Sequence, residues 1–493
     1  MSDYLHGAYG NISAAGNKVA ATGKSAIVYV GTAPVHNIVG GSKNVNKPIL
    51  VNSMAEAKKH FGYNDDWAKY TLCEAMHVHF ENMGIGPIVL INVLDPAVNK
   101  AAEGGTASKT PSNGKVVIQG GQNIVLDSIS ITGKTLGTDY TVSYDVKTGD
   151  VTLMEKASGS LGTSALSISY DIADATDVDA ADVIGSSDGE GLNKGLYAIK
   201  NVYQMTGYIP SYLVVPGFGE IAEVHAAMYT VCQKINGHFD AWMLTDIPLT
   251  TTNDGSTTTH TMNTAVSWKN TNNYNKENET VSFPTIKGTD DNIYHLSVLR
   301  AACLQKLLLD NDGIPYHTAS NQECAIIENL YLGASVVGRI YDDEVINEKL
   351  NKNGIASAAY VGGRWALWGA HSADYNYITG DSVNVSETNR MMLYYISNDF
   401  QHRRMGNIDQ PMTANDIKAI VAEEQARLDA LVKIGALTYG EVHLDASEDA
   451  QSDMINGNYS FTFRVTTTPI AKSLTANVYW TSDGFVTYFN NIA

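Results

Sequence analysis

Ser25-Ala-Ile-Val-Tyr-Val30 is a short apolar run rich in β-branched residues, and two glycines, Gly23 and Gly31, bound it. A run of this kind is typical of a strand that is buried on both faces. A second such run, Pro87-Ile-Val-Leu-Ile-Asn-Val93, follows a helical pattern over residues 67–83. Strands that alternate with helices and are apolar on both faces indicate an α/β layer.

The same rhythm returns in the middle of the chain. Residues 211–215 and 240–245 are strand candidates, with a helical pattern over 221–236 between them. Residues 101–190 differ, because they contain short alternating strands with five Lys against thirteen Asp or Glu, a net charge of −8. Since the α/β pattern resumes after this segment, the sequence predicts an inserted antiparallel β domain that faces water.

The last hundred residues differ from both earlier parts, because they combine a long helical pattern with two alternating segments. Thr413 and Asp416 have the spacing of a helix capping box, and the apolar stripe that follows them ends at Gly435. Two alternating segments, residues 458–465 and 473–480, then predict strands. The fold class expected for the whole chain is α/β and α+β multidomain.

Composition argues against several classes of function. The chain has 493 residues and a formal net charge of −19, with only 33 Lys and Arg. Affinity for nucleic acids depends mainly on basic residues, so a general nucleic-acid binder is not expected. No segment reaches the roughly 20 apolar residues of a membrane span, and no signal peptide is indicated. The four cysteines have no CxxC spacing, so we expect reduced core residues.

Motifs for catalysis or ligand binding are incomplete. Ala21-Thr-Gly-Lys-Ser25 resembles the end of a phosphate-binding loop, but Lys18 stands where that loop needs glycine. His317 and Ser320 lie in a turn, which favours their interpretation as hydrogen-bonded loop residues rather than as a catalytic pair. One cluster has ligand types that suit zinc but does not converge on one helix face: Cys73, Glu74, His77, His79 and Glu81. We therefore expect no catalytic residue, cofactor or metal.

The two chain ends carry apolar residues without a helical pattern. Residues 1–20 are expected to form an extended arm, and residues 473–493 are β-prone. Strands of this kind seek partners, and a neighbouring chain can supply one. The candidate assembly residues are Tyr4, Leu5, Tyr9, Ile12, Leu474, Val478, Trp480, Phe485 and Tyr488.

Several local strings, in their order and spacing, carry a resemblance to a known family. They are Gly313-Ile-Pro-Tyr316 with Ser320-Asn-Gln322, Leu350-Asn-Lys-Asn-Gly-Ile355, Gly362-Gly-Arg-Trp-Ala-Leu-Trp-Gly369, Arg390 ahead of Arg403-Arg404, Gly435-Ala-Leu437, and Gly457-Asn-Tyr-Ser-Phe461. Over nearly its whole length the chain resembles the contractile tail sheath proteins of myophages and R-type bacteriocins.

The resemblance implies a structural protein with specific partners. Stacked hexameric rings would surround an inner tail tube, neighbouring copies would exchange strands through their arms, and baseplate and tail terminator proteins would bind the ends. Irreversible contraction would drive the tube through a cell envelope without nucleotide hydrolysis. The implied location is a virion tail or bacteriocin particle that assembles in the bacterial cytoplasm.

The resemblance also implies a division of the chain. The expected parts are an N-terminal arm (1–20), a sheath α/β core (21–100 and 191–385), an outward-facing acidic insertion (101–190), a tube-proximal domain (386–472) and a C-terminal strand arm (473–493). Residues 388–493 have a net charge of −4, from eight Lys or Arg and twelve Asp or Glu. An electrostatic tube contact would therefore need Arg403, Arg404, Lys418 and Lys433 concentrated on one side.

Two alternatives from other classes stay open on the sequence alone. One is an enzyme with an α/β core whose site has no recognised motif. The other is a different self-assembling shell, such as a surface-layer protein, although that class should carry an export signal.

Overall fold

The computed structural model describes residues 24–157, 159–253, 255–333, 335–337, 343–375, 386–445 and 447–492. The chain divides into two units, Met1–Asp416 and Ile417–Ala493. We call them unit 1 and unit 2 and treat each by itself. The N-terminal candidates Tyr4, Leu5, Tyr9 and Ile12 lie outside the described residues.

Short strands run through the whole described chain. In chain order they are β1 (Ser25–Gly31), β2 (Ile49–Val51), β3 (Ile88–Asn92), β4 (Gly105–Lys109), β5 (Lys115–Ile118), β6 (Ser130–Ile131), β7 (Tyr140–Asp145), β8 (Asp150–Glu155), β9 (Leu166–Tyr170), β10 (Ile209–Val214), β11 (Trp242–Asp246), β12 (Thr250–Asn253), β13 (Ser256–Thr259), β14 (Glu279–Ser282), β15 (Thr285–Gly288), β16 (Ile293–Tyr294), β17 (Ile327–Leu332), β18 (Ser335–Val337), β19 (Ile355–Val361), β20 (Arg364–Trp368), β21 (Leu437–Leu444) and β22 (Phe461–Thr467).

The α-helices are mostly short, apart from three longer ones in the second half of the chain. They are α1 (Met54–Phe61), α2 (Thr71–Met76), α3 (Ala180–Ile184), α4 (Val202–Thr206), α5 (Ala222–Val231), α6 (Thr264–Thr271), α7 (Leu296–Asp310), α8 (Glu387–Arg404), α9 (Ala414–Lys433), α10 (Glu448–Ile455) and α11 (Gly484–Asn490). Two further turns, His77–Asn82 and Asp343–Leu350, are π-helical.

One eight-stranded sheet organises unit 1, in the order β2-β3-β1-β10-β11-β14-β19-β20. The six strands from β3 to β19 are parallel, and β2 and β20 pair antiparallel at the two ends. All residues of β3, β10 and β11 are buried, which confirms the α/β layer predicted from the apolar runs. The chain leaves β1 toward β3 on one side and later enters β10 on the other, so the strand order reverses between β1 and β10.

The helix predicted over 67–83 is shorter and less regular than expected. It begins at Thr71, after a turn at residues 67–69, and it changes to a π-helical turn after Met76. The periodicity of the apolar residues continues through both segments, so sequence pattern alone does not mark the change.

The acidic segment forms its own layers within unit 1. Strands β4-β9-β6 and β5-β8-β7 make two antiparallel sheets around an apolar cluster that is separate from that of the main sheet. Two contacts attach it to the loop after β1. Burial lowers the pKa of His36 to about 4, and the neutral ring can donate its Nε2 proton to the Gln122 carbonyl oxygen at 3.0 Å. The Gly40 N–H donates to the Asp127 carboxylate at 2.8 Å.

Unit 2 contains α9 from Ile417 onward, the antiparallel hairpin β21-β22, and the helices α10 and α11. The strand predicted over 458–465 appears as β22. The strand predicted over 473–480 is wrong for the single chain, since these residues have no regular structure and a helix follows at Gly484–Asn490. A strand needs a hydrogen-bonding neighbour, and in the single chain this segment pairs with none of the described strands.

Candidate assembly surfaces

The crevice where the strand order of the main sheet reverses is filled by the chain itself. In open α/β sheets ligands bind outside the carboxyl ends of the strands at this position. In this chain the Thr32 hydroxyl donates to the Lys69 carbonyl oxygen at 2.7 Å and accepts the Thr71 N–H at 3.1 Å. A side chain on Gly31 would overlap with the Thr71 hydroxyl. The beginning of α2 therefore occupies the space that a ligand would need.

A cluster of titratable groups lies at the same edge of the sheet. The Glu74 carboxylate accepts the backbone N–H of His295 and bonds to its Nδ1, both at 2.6 Å. His295 Nε2 lies 3.8 Å from Glu220, and Asp246 accepts the Ser297 N–H at 2.9 Å. These groups come from α2, the loop after β10, the end of β11 and the start of α7. The cluster joins four segments of unit 1.

The pKa values in this cluster follow from burial and from its charges. Burial by itself lowers the pKa of His295, but the neighbouring carboxylates, Glu74 first, outweigh it and raise the pKa to about 10. Burial raises the pKa of Glu220 to about 7. A second pair, His225 and Glu279, is 2.8 Å apart with side chains 2% and 0% exposed, so a substrate could not reach it.

The residues suggested for zinc make separate contacts. His79 bonds to the Tyr29 hydroxyl at 2.8 Å, His77 lies 3.4 Å from Asp290, and Glu74 binds His295. Burial raises the pKa of the Cys73 thiol to about 12, so it stays protonated at neutral pH. Within the described ranges, no group of three or more His, Cys, Asp or Glu side chains is placed to hold a metal.

The turn with His317 and Ser320 has a structural role. The Ser320 hydroxyl accepts the Gly369 N–H at 3.0 Å, and the His317 ring packs on Tyr316. No helix in the described part of the chain is both long and apolar enough to cross a membrane.

The C-terminal segment of unit 2 exposes most of its apolar side chains. Leu474, Val478 and Trp480 are 91%, 90% and 81% exposed. Phe485 and Tyr488 in α11 are about half exposed and contact each other edge to face, with 6.4 Å between ring centroids. Neighbouring exposed apolar side chains are typical of sites at which another molecule binds.

The basic candidates differ in their surroundings. The Arg403 Nε donates to Asp399 at 2.9 Å, and these side chains are 8% and 5% exposed. The charge of Arg403 is therefore paired within unit 1. Lys418 and Lys433 are exposed on α9, while Arg404 is half-buried.

The hairpin of unit 2 has one covered and one polar face. Val442 is buried on the side of α9, and Gly440 lies so close that a Cβ there would be 2.9 Å from Leu428 Cβ. On the other face Glu441 accepts a hydrogen bond from Tyr439 at 2.6 Å and pairs with Arg464 at 3.3 Å. The packing of α9 supplies the support that an isolated two-stranded sheet lacks in water.

Comparison with known proteins found a relative along nearly the whole chain. No family model matches the chain. The tail sheath protein of Burkholderia phage BcepMu is 26% identical over 510 residues, which cover 99% of this chain and 98% of that protein. This chain is thus similar along its length to a tail sheath protein. The resemblance predicted from the sequence strings is thereby confirmed.

Solved structures confirm the fold of this chain. A chain of the anti-feeding prophage baseplate superposes with a TM-score of 0.54 at 13% identity, covering 97% of this chain and 100% of that one. A chain of the PVC sheath complex, an extracellular contractile injection system in the contracted state, also gives 0.54, at 12% identity and 98% and 99% coverage. The multidomain α/β architecture expected from the sequence is confirmed.

Two features of the folded chain had no signal in its sequence. Thr32 and Thr71 fill the crevice at the reversal of strand order, although neither belongs to a motif. Gln425 of α9 bonds to the backbone of β21, and its position beside the apolar stripe does not distinguish it from other polar helix residues. Both depend on contacts that only the folded chain creates.

Proposed function

We propose that the chain is the structural subunit of a contractile tail sheath, which polymerises as stacked hexameric rings around an inner tube and contracts irreversibly. The observation that carries this proposal is the exposed apolar segment at the end of unit 2, in a chain related along its length to a tail sheath protein. The crevice filled by Thr32 and Thr71 and the buried pair His225 and Glu279 leave no room for a substrate, which supports assembly over catalysis.

Subunits are proposed to assemble by adding strands to one another's sheets. The arm of one copy would lie along the hairpin of another, which satisfies the backbone groups of the arm. Burying apolar surface contributes about 25 cal/mol per Å². Leu474, Val478 and Trp480 would supply much of this surface, and the N-terminal arm with Tyr4, Leu5, Tyr9 and Ile12 would act in the same way.

Contraction would then exchange one packing of subunits for another. The extended array would be metastable, and the contracted array would bury more interface. Such a transition needs a trigger from the baseplate but no nucleotide.

The remaining partners follow from the same proposal. Exposed Lys418 and Lys433 would face the tube, and the acidic segment 101–190 would decorate the outside. Baseplate and tail terminator proteins would bind the two ends of the cylinder. The particle would be a virion tail or a related injection device assembled in the host cytoplasm.

Negative-stain microscopy of the purified full chain tests the proposal. We expect rings, hollow tubes or long cylinders, and we expect a chain truncated after Lys472 to stay folded without forming them. A chain in which Gln410, an exposed residue outside the arms, is changed to Ala should assemble normally. Monodisperse monomers of the intact chain at high concentration would contradict the proposal.

A further inference from the structure

Gln425 covers part of one backbone edge of the hairpin. Its Oε1 accepts the Val442 N–H at 3.1 Å, and its Nε2 donates to the Gly440 carbonyl oxygen at 3.0 Å. These two backbone groups belong to β21 and lie two residues apart. The side-chain amide thus makes a donor bond and an acceptor bond to the same strand.

This pattern is the one that an added strand would make. In a strand, the carbonyl of one residue and the N–H of the residue two positions later point to the same edge. A residue of a parallel neighbour bonds to both groups through its own N–H and carbonyl. Since the Val442 N–H is bonded to Gln425, the antiparallel pair Val442 and Phe463 is a non-hydrogen-bonded pair, and the bonded groups point away from β22. Gln425 therefore occupies the outer edge of β21.

The amide is held firmly in this position. Its Nε2 also donates to Asp429 one helical turn later, at 2.9 Å, so both donor hydrogens and the carbonyl oxygen are engaged. The close approach of α9 at Gly440 brings the helix near enough for a glutamine to reach the edge. A larger residue at 440 would push α9 away from the strand.

We propose that Gln425 blocks strand addition along β21 and thereby directs the arm of a neighbouring copy to the β22 side of the hairpin. The inference rests on the proposed function, because it presupposes that arms of this chain add strands to other copies. An arm that pairs with β21 must first displace two hydrogen bonds. Their loss corresponds to about a tenfold preference against that edge.

Disulfide trapping in co-assembled full-length chains tests the block. One copy carries a reporter cysteine on the polar face of the hairpin, Tyr439→Cys on β21 or Thr466→Cys on β22, which are cross-strand partners. The other copy carries one cysteine at a position from 474 to 480, scanned in turn so that the register does not need to be known. The native cysteines are buried and will not compete.

With Gln425 intact, we expect arm cysteines to join Thr466→Cys about ten times more often than Tyr439→Cys. With Gln425→Ala, the yield at Tyr439→Cys should rise about tenfold. Gln425→Glu keeps the size but cannot donate to Gly440, so it should act in the same direction. Gln410→Ala is the matched control for loss of an exposed amide and should leave the ratio unchanged.

Three results of the trapping experiment would overturn the inference. Equal trapping on both strands with Gln425 intact would show that the edge is not blocked, and an unchanged ratio in Gln425→Ala would show that Gln425 is not the cause. Cylinders that form without trapping at either strand would remove the strand exchange on which the block depends. If no cylinders form at all, the proposed function itself fails.

Hydrogen exchange in the unassembled protein gives an independent readout. The Val442 amide should exchange at least about tenfold faster in Gln425→Ala than in Gln410→Ala, because its acceptor is gone. Equal exchange rates in the two variants would mean that the hydrogen bond between Gln425 and Val442 does not form in solution.

Discussion

The main sheet of unit 1 and the C-terminal segment of unit 2 differ in the burial of their strand-forming residues. In the main sheet β1 and β10 are buried, and even the crevice at the reversal of strand order is filled by Thr32 and Thr71. In unit 2 the segment around Trp480 is exposed and has no regular structure. The difference indicates that the main sheet is buried within one chain, whereas the exposed apolar end of unit 2 is the part that we propose binds another copy. Substitutions should therefore act on folding in the first region and on assembly in the second.

The largest effect on folding is expected at the buried ion pair of unit 1. Arg300 and Glu387 are 2.7 Å apart and each is 1% exposed, so removing one partner leaves a buried charge unpaired. Arg300→Ala should lower the free energy of unfolding by about 3–5 kcal/mol. The double change Arg300→Met with Glu387→Met should cost far less. Urea denaturation of unassembled protein measures both, and equal losses would contradict this account.

The second effect is a pH dependence that arises from the cluster at His295. Its folded pKa of about 10 exceeds the ordinary value of 6.5, so the folded state binds an extra proton between these values. The stabilisation is complete below about pH 6.5 and is lost as the pH rises through about 10, at about 1.4 kcal/mol per unit of pKa difference. Glu220, with a folded pKa of about 7, adds a loss of the same sign between about pH 4.5 and 7.

His295→Gln tests this dependence. Its free energy of unfolding should fall less steeply than that of the unchanged protein between pH 6.5 and 10. His238→Gln, at an exposed histidine, should keep the original slope. Parallel curves for all three proteins would exclude His295 as the source.

A smaller effect is expected where the crevice is filled. Gly31→Ala places a methyl group against the Thr71 hydroxyl and should cost about 1–3 kcal/mol. Thr71→Ala in the same chain should recover part of that loss, because the next neighbour of the new methyl group, Leu72 Cδ2, is 3.4 Å away. Gly406→Ala, with open space around it, is the control. Additive losses in the double variant would mean that the crevice is not tightly filled.

The sequence predicts best what is determined locally or by burial. The apolar runs locate β1, β3, β10 and β11, and the capping box at Thr413 is present, with the Asp416 N–H bonded to the Thr413 hydroxyl at 3.3 Å. The filled crevice has no such signal, because Thr32 and Thr71 meet only through the tertiary fold. Residues 473–480 have a strand pattern but no strand, because alternating apolar residues do not by themselves supply the hydrogen-bonding neighbour that a strand requires.

Trp480→Ser should have the smallest effect on folding, yet it should prevent assembly. Trp480 is 81% exposed, so Trp480→Ser should change the free energy of unfolding of the unassembled chain by no more than about 0.5 kcal/mol. The same change removes a large apolar side chain from the proposed arm, and microscopy should show few or no cylinders. Val98→Ser, at an exposed apolar residue outside the arms and the hairpin, controls for loss of exposed apolar area. If Trp480→Ser unfolded the chain, or if it assembled as well as Val98→Ser, the contrast between the buried main sheet and the exposed end of unit 2 would fail, because the exposed segment would then serve the fold of its own chain or contribute nothing to assembly.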